Sequence, residues 1–242
     1  MNVFTDDNLA NIQSFIDLQL EKLAAIGLEL RTDVDMDRFA SFLAVAPNAL
    51  PVPSTHDPER SHLHPGNAYW TMLTDALGQI VACNGQRMVD TDDLFEDIRT
   101  HSFFKNRHPM IHHYPLALYR DLEFPNLSGR ISVGGGMWVS PDWRGYHPEF
   151  GGKLYSVYSP LVRAIALRHF KLAWYCALYR ADPSRSSLGQ DGSGFTNAVN
   201  LLNGMFPLQD REANIQFMWM SREEMLQFIR DRIFGSERKR QA

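Results

Sequence analysis

Between Arg144 and Lys153 the chain gathers two cations, the glycines Gly145, Gly151 and Gly152, and two ionisable groups, His147 and Glu149. A run that reads as a strand, Ile131 to Val139, leads into this stretch and continues through Ser140. An apolar run with helical periodicity follows it. Strand, glycine loop and helix start together make an anion site. The first N–H groups of a helix lack intrahelical partners and carry partial positive charge, and glycine lets a phosphate approach the main chain. Arg144 and Lys153 add charge at the two ends of the loop. Strand–turn–helix units also occur as plain connections, so spacing alone leaves both readings open.

Other groups with chemical potential are scattered. His56, His62 and His64 lie in a proline-rich stretch, and His112 and His113 lie in a second one. A His-x-His pair can hold a metal, but no acidic or thiol ligand stands at the usual spacing beside this one. Cys83 and Cys176 sit in apolar, strand-like runs, which fits buried, inert thiols rather than a disulfide framework. Gly134-Gly135-Gly136 weakens a strand unless something needs the space. It fits a bulge that admits a ligand to the main chain, or close packing of the Trp138 or Trp143 ring.

With 242 residues the chain is long enough to bury a proper core as one domain. The net charge of −4 argues against a general nucleic-acid binder, which presents a basic face. No apolar run reaches bilayer-spanning length, and the acidic N-terminus lacks a signal-peptide pattern. A cytoplasmic protein with no membrane or nucleic-acid partner is the expectation.

The elements that must position these groups can be read in order. Leu9, Ile12, Ile16, Leu20 and Leu23 recur at helical spacing and predict a helix over 6–26, capped by Thr5 and stopped by Gly27. A short extended piece, 28–31, precedes a second helix capped by Asp35 and ended by Pro47. Residues 47–66 read as an irregular loop. Residues 68–88 read as a hairpin turning at Asp75–Gly78. A helix is expected over 91–104. After the central loop, Leu154, Val157, Tyr158, Leu161, Val162 and Ile165 form one apolar stripe. Pro160 either kinks that helix or begins it, with Ser159 as cap. A strand over 172–179, a helix over 195–202 and a strand over 213–220 follow. Ser221-Arg-Glu-Glu224 is a capping box that starts the last helix, with Met225, Phe228, Ile229 and Ile233 on its apolar face. The tail, 235–242, is expected to be disordered. The chain thus divides into N-terminal helices and a proline-rich loop (1–66), a core (67–234) and the tail.

The run Trp138-Val139-Ser140-Pro141-Asp142-Trp143-Arg144-Gly145, set between a hairpin and a long helix, resembles the GNAT superfamily of acyl-CoA-dependent N-acyltransferases. The resemblance spans about 68–220 and is closest over Gly136–Gly152. It implies an α/β fold with a mixed, largely antiparallel sheet flanked by helices, here with added N-terminal helices. It implies acetyl-CoA or another acyl-CoA as co-substrate and a small amine or amino acid as acceptor. Trp138, Val139 and Ser140 would border the pantetheine arm through their main chain. Arg144, Gly145, Gly151, Gly152 and Lys153 would cradle the pyrophosphate. Asn197 or Asn200, expected on the helix after the second strand, would help hold the cofactor. The chain departs from the pattern at Tyr146–Phe150, inserted within the loop, at Pro160, and in carrying no carboxylate in Val133–Met137.

Acyl transfer by direct attack needs an oxyanion donor, expected near Val139 or Ser140, and a base. The candidate bases are Glu149, His147, His112 and His113, and Tyr175 or Tyr179 would protonate the leaving thiolate. Two other readings remain open: a non-catalytic ligand-binding protein of the same fold, and a metal-dependent hydrolase using His62, His64, His112 and His113. The oligomeric state is open, a homodimer included.

Overall fold

Apolar stripes and turn residues account for most of the elements. The computed structural model describes residues 4–100, 102, 104–105, 126–180, 194–201 and 215–240. Helix α1 (Asp6–Ala24) starts where Thr5 accepts the Asn8 N–H, and it buries Ile12, Phe15, Ile16 and Leu23. Strand β1 (Glu29–Asp33) follows, then helix α2 (Met36–Val45), capped by the Asp35 carboxylate. Strands β2 (Ala68–Thr74) and β3 (Ile80–Thr91) form the expected hairpin, with Asp75 bonding the N–H groups of Leu77 and Gln79 across its turn. Because β3 runs to Thr91, the helix expected over 91–104 shortens to α3 (Leu94–Thr100). Strand β4 (Gly129–Val139), the small strands β5 (Tyr146–His147) and β6 (Gly152–Lys153), and helix α4 (Leu154–Phe170) make up the central stretch. Strands β7 (Trp174–Arg180), β8 (Asn197–Leu201) and β9 (Ile215–Ser221) and helix α5 (Arg222–Arg240) complete the order.

Among the described residues, seven strands form one mixed sheet in the order β1-β2-β3-β4-β7-β9-β8. Every neighbouring pair is antiparallel except β4 and β7. This is the expected fold class. One face packs on α1, α4 and α5 through Phe15, Tyr69, Leu73, Leu154, Tyr158, Leu161, Met218, Met225 and Ile229. The other face is covered in two parts. Phe39 and Leu43 of α2 sit on Trp70, Cys83 and Trp138, and Leu94 of α3 sits with Ile131, Val133, Cys176 and Phe217. Both cysteines are buried and free.

Three expectations are corrected. Residues 197–201 form an edge strand, not part of a helix, because all of Asn197–Leu201 pairs with Ile215–Trp219 of β9. The last helix continues to Arg240 through the expected disordered tail. Pro160 lies inside α4, seventh from its start, so Ser159 does not cap the helix. An interior proline forfeits a helix bond at a cost of about 3 kcal/mol. The Pro160 side chain is buried beside Arg163, Leu167, Met225 and Phe228, and burial of its ring works against that cost. Helix α4 therefore begins directly after Gly151-Gly152-Lys153.

Candidate functional site

The site forms where β4 parts from β7. Their parallel pairing runs only from Ile131 opposite Trp174 to Gly134 opposite Ala177. Beyond it β4 bulges. Gly135 faces Gly85 and Trp138 faces Cys83, so Gly136 and Met137 together oppose Asn84. Gly136 has φ of 62°, in the left-handed region that glycine tolerates. Past Gly134 and Ala177 the two strands run on to Val139 and Arg180 without pairing with each other, and the cleft is the space between these unpaired ends.

Past the bulge, the hydrogen-bond alternation decides which main-chain groups face that cleft. The Ser140 N–H donates to the Val81 carbonyl at 2.7 Å. In an antiparallel ladder the neighbouring residue then points its N–H and C=O to the opposite side. Val139 therefore faces away from β3, and its carbonyl accepts Arg144 Nε at 2.9 Å. The Val139 N–H is thus presented beyond the reach of the β4–β7 pairing. Ser140, the other expected oxyanion donor, has its N–H committed to Val81.

The inserted residues Tyr146–Phe150 do not spread the loop apart. They fold into a two-stranded hairpin in which Tyr146 pairs with Lys153 and His147 with Gly152. Gly151, at φ 64°, closes the 3-10 turn Pro148–Phe150. The hairpin returns the chain beside Gly145, so Arg144 and Lys153 flank the start of α4. Lys153, the N-cap of α4, has no side-chain acceptor to offer, and the helix has no side-chain cap. A Cβ on Gly152 would come within 2.9 Å of Ser156 Oγ, which explains glycine at that approach. The Trp143 and His147 rings stack at 5.4 Å, and Glu149 is exposed on the turn.

Val139, Ser140, Arg144, Gly145, His147, Glu149, Gly151, Gly152 and Lys153 are thus brought into one unit at the end of β4. Trp138 joins it by main chain only: its ring is buried on the α2 face and donates from Nε1 to the Pro47 carbonyl at 2.9 Å. Asn197 and Asn200 are elsewhere. Their strand is three sheet positions from β4, roughly 14 Å away in strand spacings. The Asn197 amide donates to Glu224 at 2.8 Å and to the Trp219 carbonyl. His112 and His113 lie outside the described residues. His64 uses Nδ1 to accept the Gly66 N–H. Among the described residues, no three His, Cys, Asp or Glu side chains gather as a metal site.

Tyr175 stands on β7 opposite Ser132, below the point of divergence, and its hydroxyl is enclosed. Burial pushes its pKa up to about 12, against a partial lowering by the hydrogen bond from Gln86. It belongs to a polar network that the sequence reading missed. Gln86 Nε2 donates to Tyr175 Oη at 2.9 Å and also to Asn84 Oδ1, while Ser132 Oγ donates to Gln86 Oε1 at 2.9 Å. Asn84 Nδ2 donates to the carbonyl of Gly135, the residue just before the bulge, at 3.3 Å. Next to it, Tyr158 of α4 donates to the Thr71 carbonyl at 2.9 Å. The available signal was Asn84 and Gln86, polar at alternate positions of a strand otherwise read as apolar.

The three glycines are explained by side chains, though not by the tryptophans. A Cβ on Gly134 would run into Tyr175 Oη; on Gly135 it would lie 2.6 Å from His56; on Gly136 it would lie 2.6 Å from Phe39.

No protein-family model matches the chain, and no curated protein matches it in sequence. Among solved structures it is similar to a polyamine N-acetyltransferase of Drosophila melanogaster that forms N-acetylagmatine, with a TM-score of 0.45, 12% identity and coverage of 80% of this chain and 99% of that one. It is also similar to the spermidine N-acetyltransferase of Vibrio cholerae in complex with CoA and spermine, with a TM-score of 0.45, 14% identity and coverage of 83% and 98%.

Proposed function

We propose that the chain is an N-acyltransferase that moves an acyl group, acetyl in the simplest case, from acyl-CoA to a small amine or amino acid. The observation that carries this reading is the cleft between β4 and β7. Its β4 edge presents the Val139 N–H, and its mouth meets an α4 start without a side-chain cap, flanked by Arg144 and Lys153. A thioester on an extended, amide-bearing arm and a pyrophosphate fit those two features. The arm can add main-chain hydrogen bonds along an open strand edge, and the pyrophosphate suits helix N–H groups and glycine.

In this reading the acceptor nitrogen attacks the thioester carbonyl carbon. The carbonyl oxygen becomes an oxyanion, and the Val139 N–H is aimed to donate to it. Collapse of the tetrahedral centre breaks the C–S bond and releases CoA. The proton lost by the amine passes to His147 or Glu149 of the hairpin, directly or through water, and the CoA thiolate takes a proton back from that group or from water, which returns the base to its starting state. Alignment of the two reactants in the cleft supplies several kcal/mol of the rate. Tyr175, enclosed by Gln86 and Ser132, supports the strand geometry below the cleft.

Calorimetric titration with CoA and acetyl-CoA tests the reading. The wild-type chain should bind both, and Arg144→Ala should weaken binding by roughly tenfold, the worth of a charge-assisted hydrogen bond. No binding at millimolar CoA, or an unchanged affinity in Arg144→Ala, would overturn the cradle.

A further inference from the structure

His56 is the one histidine sealed in the interior among the described residues, and it stands in the proline-rich loop between α2 and β2. It closes the 3-10 turn Ser54–His56, on the α2 side of the sheet. Its ring lies across both strands of the bulged pair. A Cβ on Gly85 of β3 would approach it to 2.8 Å, and a Cβ on Gly135 of β4 to 2.6 Å. Its Nε2 lies 3.0 Å from the Val133 carbonyl and its Nδ1 lies 2.8 Å from Thr55 Oγ1. A carbonyl only accepts, so Nε2 carries the proton and Nδ1 accepts from the Thr55 hydroxyl. The loop is anchored in turn by buried Arg87, whose Nη1 donates to the Thr55 carbonyl at 3.3 Å and to Ser61 Oγ at 3.0 Å. Ser61 Oγ donates to the Ser54 carbonyl at 2.7 Å. The two strands thus carry glycine where this ring rests; β4 is tied to the loop through the Val133 carbonyl and β3 through the Arg87 side chain.

We infer that His56 is a positioning residue for the cleft: wedged between Gly85 and Gly135 and bonded to Val133, its neutral imidazole sets the bulge that turns Met137 and Val139 toward the divergence of β4 and β7. The side chain touches no reactant and acts through the strand. Burial, with the Arg87 charge beside it, holds the imidazole down to about 3, so the ring stays neutral at physiological pH. A protonated ring would bring a second cation beside Arg87 and would turn Nδ1 from an acceptor into a donor.

The test compares His56→Gln, which keeps an amide N–H near the position of Nε2, with His56→Phe, which fills the space but cannot donate. Two readouts are taken: the backbone amide signals of Met137 and Val139 in 15N-labelled protein, and calorimetric affinity for CoA. His56→Phe should displace both amide signals and weaken CoA binding by roughly tenfold or more, with His56→Gln near wild type in both. Unmoved amides in a folded His56→Phe would overturn the inference, since a ring that only fills space loses nothing there. The affinity readout rests on the CoA reading. If wild-type protein does not bind CoA, that reading fails while the amide signals still decide the role of His56. Wild-type protein also decides where a variant does not fold. Its imidazole should appear as the Nε2–H tautomer and should not titrate between about pH 5 and 8, whereas titration in that range or an Nδ1–H tautomer would overturn the wedge.

Discussion

Three consecutive glycines in a central strand are costly unless each gives space to something, and here each does. Tyr175 occupies the space over Gly134 on the α4 side, His56 that over Gly135 on the α2 side, and Phe39 that over Gly136. From the chain a bulge was one of two equal readings of these glycines, the other being close packing of a tryptophan ring. Their partners were not readable, because His56 and Phe39 come from segments remote in sequence and meet β4 only through the tertiary fold. The same holds for Tyr175, whose place in a buried network depends on Gln86 and Ser132 from two other strands. Enclosure of its phenol has a consequence for alkaline stability. The folded chain holds this proton more tightly than the unfolded chain, so stabilisation is complete below about pH 10, the ordinary phenol value. It is lost as pH rises from there through about 12. Tyr175→Phe should cost about 1 kcal/mol at neutral pH. It should also show a shallower loss of stability between about pH 10 and 12 in chemical denaturation than wild type. An identical alkaline slope would mean the phenol ionises freely.

At the level of elements, long periodic runs were legible and short ones were not. The apolar repeats of α1 and the stripe of α4 outweigh local exceptions, and α4 keeps its course even through Pro160. Asn197–Leu201 has no such length. A stretch of five residues satisfies either period, and pairing with β9 decides it. The inserted Tyr146–Phe150 was legible as an interruption but not as a hairpin, because cross-strand pairing of two residues a side leaves no pattern in sequence. The capping box was legible in full, and it does more than cap. Glu224 accepts the Ser221 N–H at 2.7 Å, and it also accepts Asn197 Nδ2 and Thr196 Oγ1, each at 2.8 Å. One carboxylate thereby ties the edge strand β8 to the start of α5. Glu224→Ala should therefore cost about 1–2 kcal/mol, more than a solvent-exposed cap, and lower the melting temperature by roughly 2–8 °C. A change under 1 °C by calorimetry would show that the tie is idle.

Across the whole molecule, the sheet divides into two antiparallel halves, β1 to β4 and β7 to β8, that meet only along the short parallel stretch from Ile131 to Gly134. Helix α4 lies over the β4 side of this seam with α1 and α5 packed against it, and the opposite face is closed by separate patches under α2 and α3. Each patch contains one of the two thiols: Cys83 lies beneath α2, and Cys176 lies with Leu94 and Phe217. Burial drives both thiols far above their ordinary ionisation range, so neither reacts while its patch is closed. The chain therefore carries a built-in clock for each patch. With a disulfide reagent in excess, the labelling of each cysteine reads how often its own cover lifts. Equal rates at Cys83 and Cys176, read by peptide mass, would mark a molecule that opens as one piece. Faster labelling of either would show which of the two covers, the one under α2 or the one under α3, opens first.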